Sequence, residues 1–355
     1  MKTVCFFIAD ISRTGGTERL SSALAEKFSE KYRVIILSLS GNNIPAFPAK
    51  NVKYYSLFKK KHRFKLLIPV VLARLFSFLK KNKIDILIDV EILLAFYTVL
   101  PAKFLKIKHI SWELFNFNAD LGLKVRGFAR KLAVKYSDKV VVLTERDRQA
   151  YLTITSEKDK IEKICICHPS PVDYSRSATL EGKNIVSIGR FVYQKGYDML
   201  LPAFRLVVDA EPDCILFLIG YGQDEKNLKK QCCELKLENN VIFTGMIKEL
   251  KEYYLRSSMY VMSSRFEGFP MVLLEAVSNG LPLVSFDCEC GPAEIIEDGK
   301  NGFLVPVGDI KELAEKMIIL IRNQELRKKM GKESLKISKE FSLEKIADKW
   351  LEILE

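Results

Sequence analysis

The sequence predicts an α/β chain built from two doubly wound parallel sheets, and three observations predict it. Short apolar runs alternate with helical stretches along the chain, the pattern of strand–helix–strand crossovers. The alternation breaks once, where Pro169 and Pro171 lead into the polar segment Tyr174–Lys183, and then restarts. At 355 residues, with 48% hydrophobic and 28% charged residues, the chain is long enough for two domains, each with a sizeable core. The expected division is an N-terminal domain over 1–170, a linker over 171–183, a second domain over 184–340 and a terminal helix over 341–355 that packs back on the first.

In the first half the strand candidates are Val4–Ala9, Arg33–Leu39, Ile84–Val90, Lys108–Trp112 and Lys139–Leu143. Between them Glu18–Phe28 carries Leu20, Ala23, Leu24 and Phe28 at helical spacing, and Leu66–Leu79 and Val125–Val134 are also helical in pattern. The opening run Met1–Asp10 has the look of a weak signal peptide. Its apolar part is short and ends in Asp10, so it reads better as a first buried strand. In the second half Asn184–Gly189, Cys214–Gly220, Asn240–Thr244, Met259–Ser263 and Pro282–Phe286 read as strands. Asp198–Val208, Glu225–Leu235, Pro270–Ser278, Ile310–Asn323 and Leu343–Leu354 read as helices. Two such halves are expected to face each other across a cleft, with ligands at the carboxyl ends of the strands.

Composition narrows the function classes. No run of about 18 uncharged apolar residues predicts a spanning helix. The eight cysteines include no C-x-x-C pair, and buried thiols of a reducing compartment explain them better than zinc or disulfides. The net charge of +12 is uneven: residues 1–180 hold 32 Lys+Arg against 16 Asp+Glu, and the remainder holds 24 against 28. An anionic surface or ligand is therefore expected to meet the first half.

The chemistry is expected in three loops of the second half. The first, Gly189-Arg190-Phe191-Val192-Tyr193-Gln194-Lys195-Gly196, puts two cations after a strand, a planar fork and a point charge suited to phosphate. The second, Gly220-Tyr221-Gly222, lets backbone come close to a ligand. The third, Ser263–Ala276, runs from a strand through Glu267-Gly268-Phe269-Pro270-Met271 into a helix carrying Glu275. There Gly268 permits an unusual turn, Pro270 suits the first helical turn, and the helix start favours phosphate. Were the eight steps from Glu267 to Glu275 all helical, the acids would lie roughly on one side, about 12 Å apart. The plainer reading of this pair has Glu267 capping the helix and Glu275 facing water.

Taken together, Gly189-Arg190, Lys195-Gly196, Gly220-Tyr221-Gly222, Glu267-Gly268-Phe269-Pro270 and Glu275-Ala276 resemble a known family, the retaining nucleotide-sugar glycosyltransferases of the GT-B fold. The type is group 1, or family four, that of capsule and lipopolysaccharide synthesis. Gly291–Ile296, Gly299–Val305 and the N-terminal Gly15-Gly16-Thr17-Glu18-Arg19 extend the likeness over almost the whole chain. The resemblance implies two Rossmann-like domains and transfer of a hexose or N-acetylhexosamine from a nucleotide sugar, expected to be UDP-linked, to a glycan or lipid-linked saccharide. It implies Arg190, Lys195 and Glu267 as catalytic residues, the two cations holding the diphosphate. Gly15, Gly16, Gly189, Gly222, Gly268, Phe269, Pro270, Met271 and Glu275 would bind the donor, with Glu275 on the ribose hydroxyls and Glu267 with the backbone of 268–271 on the sugar. For Gly15-Gly16 a tight strand–helix turn is an equally good account.

No protein nucleophile is expected, since the resemblance implies same-face substitution with the leaving phosphate taking the acceptor's proton; no cofactor is expected, the nucleotide sugar being a substrate, and no metal. Asp287-Cys288-Glu289 resembles a D-x-D metal motif, but of the other main glycosyltransferase fold, and is discounted. The family's first-domain His is missing: the strand ends Trp112-Glu113-Leu114, and His109 near its beginning reads as structural. Glu113 would then reach acceptor or sugar. The basic run Lys59–Lys65 beside the apolar helix Leu66–Leu79 suits docking on an anionic membrane, and the alternative packs that helix on its own sheet. The expected location is cytoplasmic, peripheral on the inner membrane face. Two rival readings are a nucleotide-sugar epimerase of the same architecture and a basic nucleic-acid-binding protein. The loop constellation argues against the first. No nucleic-acid motif or aromatic-interleaved basic stripe supports the second.

Overall fold

The computed structural model describes residues 1–60, 67–118, 125–168, 172–247 and 249–355. The chain divides into two compact units, Met1–Pro171 with Ser342–Glu355, and Val172–Phe341. The first carries β1 (Thr3–Ile8), α1 (Gly16–Phe28), β2 (Arg33–Ser40), β3 (Val52–Phe58), α2 (Ile68–Lys81), β4 (Ile86–Val90), α3 (Ala95–Leu105), β5 (Lys108–Trp112), α4 (Val125–Tyr136), β6 (Lys139–Val142), α5 (Glu145–Leu152) and β7 (Ile161–Lys163). The second carries β8 (Asn184–Ile188), α6 (Tyr197–Ala210), β9 (Ile215–Ile219), α7 (Glu225–Glu234), β10 (Val241–Gly245), α8 (Lys251–Leu255), β11 (Met259–Met262), α9 (Met271–Ser278), β12 (Leu283–Phe286), α10 (Pro292–Ile295), β13 (Gly302–Val305), α11 (Ile310–Arg322) and α12 (Gln324–Ser338). The terminal α13 (Leu343–Leu354) belongs to the first unit.

Each unit is a parallel α/β sheet, in the order β3-β2-β1-β4-β5-β6-β7 in the first and β10-β9-β8-β11-β12-β13 in the second. Their central strands, such as Val4–Ile8 and Met259–Met262, are buried on both faces and so read as unbroken apolar runs. In each sheet the strand order reverses once, between β1 and β4 and between β8 and β11. Neighbouring strands part their following loops there, and that is where doubly wound sheets hold ligands.

The terminal helix turns Ile346, Ala347, Trp350 and Leu354 inward. Trp350 lies edge-on to Trp112, with centroids 4.9 Å apart, and against Phe28. Near the end of the expected linker Leu180 is buried in the second unit, and its carbonyl accepts from the Arg327 guanidinium at 2.8 and 3.0 Å.

On helix α2 the stripe of Val71, Leu75 and Leu79 is buried in the core of the first sheet, as in the alternative that packs this helix on its own sheet, while Ile68 and Val70 stay exposed. Lys59 and Lys60 are exposed, and the rest of the basic run, 61–66, lies outside the described residues. Among the described residues no helix is long and apolar enough to cross a membrane. No disulfide joins the eight cysteines; Cys233 is exposed and Cys165 half-buried, and the other six are buried.

Candidate active site

The loops after β8 and β11 meet at the second switch point. Lys195 donates to Glu267 Oε1 across 2.6 Å, and the Ser264 hydroxyl donates to the same oxygen at 2.7 Å. Both bonds fall on Oε1, so Oε2 is left for an incoming donor. The sequence assigned Lys195 and Glu267 to different parts of a ligand; the fold joins them as a largely buried ion pair. Arg190, two residues past β8, is exposed and forms no salt bridge among the described residues.

Backbone geometry forces this meeting. Gly196 has φ +65°, and a Cβ there would fall on the Ser263 carbonyl oxygen. The close approach lets Ser263 Oγ donate to the Lys195 carbonyl at 3.0 Å. A second staple lies outside it: Arg265 grips Asp198 with two parallel bonds of 2.8 and 2.6 Å, donates to the Tyr193 carbonyl and covers the Tyr193 ring. Sequence reasoning passed over Arg265 and Asp198. Their signal was an Arg two residues before Glu267 and an acid in the first turn of α6.

Glu275 is the fifth residue of α9, half-buried, and its Oε2 accepts from Tyr254 OH at 2.8 Å. Burial, with the Glu275 charge, holds the Tyr254 phenol well above its usual range, so it remains a donor. Tyr260 lies beside it, its hydroxyl bonded to the backbone of Ile188 at the end of β8. Tyr197 is buried too, and burial together with the Glu267 charge pushes its phenol upward. These tyrosines form a floor of neutral donors under the loops. They read as ordinary core residues in the sequence.

Several expectations about this loop need correction. Helix α9 starts at Met271 with Pro270 as its N-cap, so Glu267 to Pro270 is loop and the two acids do not share one helix face. Gly268 is not among the glycines of positive φ. The strained glycine here is Gly291, with φ +99°, whose Cβ would fall on Pro270. Phe269 is buried against Phe341, so its side chain anchors the loop. The Cβ position of Gly222 is filled by the Phe191 backbone, and that of Gly220 by the Gly189 carbonyl. Gly189 itself packs against Tyr197 and the Lys195 stem. These glycines fit two loops together. Cys288, after β12, has its thiol pushed up to about 12 by burial, with the nearby Glu267 charge adding to this. Among the described residues no cluster of His, Cys, Asp or Glu could hold a metal ion.

In the first unit Gly15 is the N-cap of α1 after β1, and Gly16 its first residue. A Cβ on Gly15 would meet the carboxylate of Glu18, whereas the Cβ direction of Gly16 is open. Glu113 does not reach outward. It is buried, accepts from Arg130 Nε at 2.9 Å and from Tyr151 OH at 3.1 Å, and lies 3.7 Å from Arg126. Burial raises its carboxyl to about 7, against the pull of Arg130. His109 is buried too, its Nε2 2.9 Å from Asp89 Oδ2.

The family model of the group 1 glycosyl transferases matches residues 175–336, the unit that holds Lys195, Glu267 and Glu275. Over full length the chain is 34% identical to an uncharacterized glycosyltransferase of Haemophilus influenzae, covering 100% of both chains. It is 29% identical to the amylovoran biosynthesis glycosyltransferase AmsD of Erwinia amylovora, again over 100% of both. Among solved structures it superposes on the lipopolysaccharide outer core galactosyltransferase WaaB with a TM-score of 0.82, at 20% identity over 98% of each chain. On HepE of Anabaena in complex with UDP the TM-score is 0.83, at 17% identity, covering 100% of this chain and 99% of that one. The chain therefore belongs to the group 1 glycosyltransferase family, and its two Rossmann-like units are those of the GT-B fold.

Proposed function

We propose that the protein moves a hexose or N-acetylhexosamine from a UDP-linked donor to a glycan or lipid-linked saccharide, with retention at the anomeric carbon, in cell-surface polysaccharide synthesis. The observation that carries this reading is the Lys195–Glu267 contact at the switch point between β8 and β11, with the free fork of Arg190 beside it in the same loop. Breaking the sugar–phosphate bond places negative charge on the departing diphosphate. Arg190, Lys195 and the N-terminus of α9 stabilise it where it develops, so the reading needs no metal. Glu267 holds Lys195 through Oε1 and has Oε2 for a hydroxyl of the donor sugar. Glu275, steadied by Tyr254, takes the ribose hydroxyls. The acceptor hydroxyl attacks from the side the diphosphate leaves, and a diphosphate oxygen takes its proton. No side chain becomes covalently modified.

Support for the donor comes from relatives: HepE was solved with UDP and with UDP-glucose, and TarM of S. aureus with UDP. AmsD is named for amylovoran biosynthesis. A cytoplasmic protein meeting its acceptor at an anionic membrane surface fits the basic first half. The test is UDP release from UDP-sugars with and without candidate acceptors. Release that depends on an acceptor supports transfer. Interconversion of free UDP-sugars without an acceptor would point to the epimerase instead.

A further inference from the structure

Helices α3 and α4 lie side by side on the first unit, and together they expose a patch their own core does not need. Phe96, Leu100 and Phe104 recur every four residues along α3; Val125, Phe128 and Tyr136 line α4. Phe104 is 77% exposed, Phe128 61% and Leu100 51%. The Phe96 and Phe128 rings stack with centroids 5.8 Å apart, so the two stripes are one surface. Adjacent large apolar groups this exposed mark a contact face, whereas isolated ones do not.

The patch ends in positive charge. A hollow of about 560 Å³ lies where α3 and α4 end, lined by Lys103, Lys106, Lys108, Lys135, Tyr136 and Asp138 among others. None of the four lysines forms a salt bridge among the described residues, and Asp138 Oδ2 already accepts from the His109 N–H at 2.7 Å. Lys103 and Lys135 flank the Tyr136 ring at 5.3 and 5.2 Å. Cations, an interfacial tyrosine and projecting phenylalanines in this order match the layers of an anionic bilayer: headgroup phosphate, boundary, acyl chain.

We propose that the α3–α4 face docks on an anionic phospholipid membrane, with lipid phosphate in the lysine hollow and Phe104, Leu100 and Phe128 at the acyl boundary. The proposal extends the membrane partner of the proposed function, but its test needs neither donor nor acceptor, so the two can fail separately. The experiment is co-sedimentation of the full chain with phosphatidylglycerol/phosphatidylcholine vesicles and with phosphatidylcholine alone. Wild type is expected to bind the anionic vesicles, less so as salt rises. The triple variant K103Q/K106Q/K135Q is expected to bind them roughly 100-fold more weakly, and L100S/F104S/F128S to lose binding, while K59Q/K60Q binds as wild type. As an independent readout, the fluorescence of the Phe104→Trp variant should be quenched by bromine-labelled acyl chains. No binding by wild type, unchanged binding by either triple variant, or an unquenched signal from the Phe104→Trp variant on bound vesicles would overturn the proposal. So would a wild-type dimer that the apolar variant splits without losing vesicle binding.

Discussion

At the scale of single residues, the lysine–glutamate pair has two roles that can be measured apart. Truncating Lys195 leaves the largely buried Glu267 carboxylate with Ser264 alone, at a stability cost on the order of 2 kcal/mol. Neutralising the acid as well, in Lys195→Ala/Glu267→Gln, should recover most of that cost in a urea melt. Transfer should stay down by roughly 100- to 1000-fold in both variants, because the cation that meets the diphosphate is missing in each. Recovery of turnover along with stability would mean the pair is only structural. Gly196 tests the backbone on which the pair depends. Gly196→Ala places a Cβ against the Ser263 carbonyl at φ +65°, and should lower stability by about 1–3 kcal/mol. A melting curve equal to wild type would contradict that geometry. Arg190, Lys195 and Glu267 stand out in the sequence as charges near glycines in loops after strands, and Glu275 as an acid in the helix that follows. Their partners were not. Tyr254 under Glu275 and Asp198 under Arg265 are brought in by tertiary packing, which spacing along the chain does not encode.

At the scale of elements, periodicity found the buried strands and amphipathic helices and overlooked what lacks a period. Lys108–Trp112 and Leu343–Leu354 fall where expected. Strand β3 was missed because it is a half-buried edge strand, and α3 because it is apolar on all sides and contains Pro101. The apolar stripe that is periodic in the sequence, on α2, is internal, while the exposed phenylalanines lie on α3 and α4. Helix α13 offers a test at this scale. Trp350 is fully buried between Trp112 and Phe28, so Trp350→Ala should destabilise the first unit by about 3–5 kcal/mol. Near-ultraviolet circular dichroism and a denaturant melt would report it; an unchanged midpoint would show that α13 adds little to that core.

For the molecule as a whole, the account comes down to two parallel sheets, each reversing its strand order once, with the charged chemistry gathered at the reversal of the second. The uneven charge fits this division: the second half holds fewer basic than acidic residues, yet places its cations after β8, and the surplus of the first half lies partly on α3 and α4. Calorimetric titration of UDP into wild type, Arg190→Ala and Glu275→Ala is the most direct test. The account predicts one UDP site per chain, weakened roughly tenfold or more by each substitution, through loss of a phosphate fork in one and a ribose acceptor in the other. Equal UDP affinity in all three proteins, or none in wild type, would contradict it.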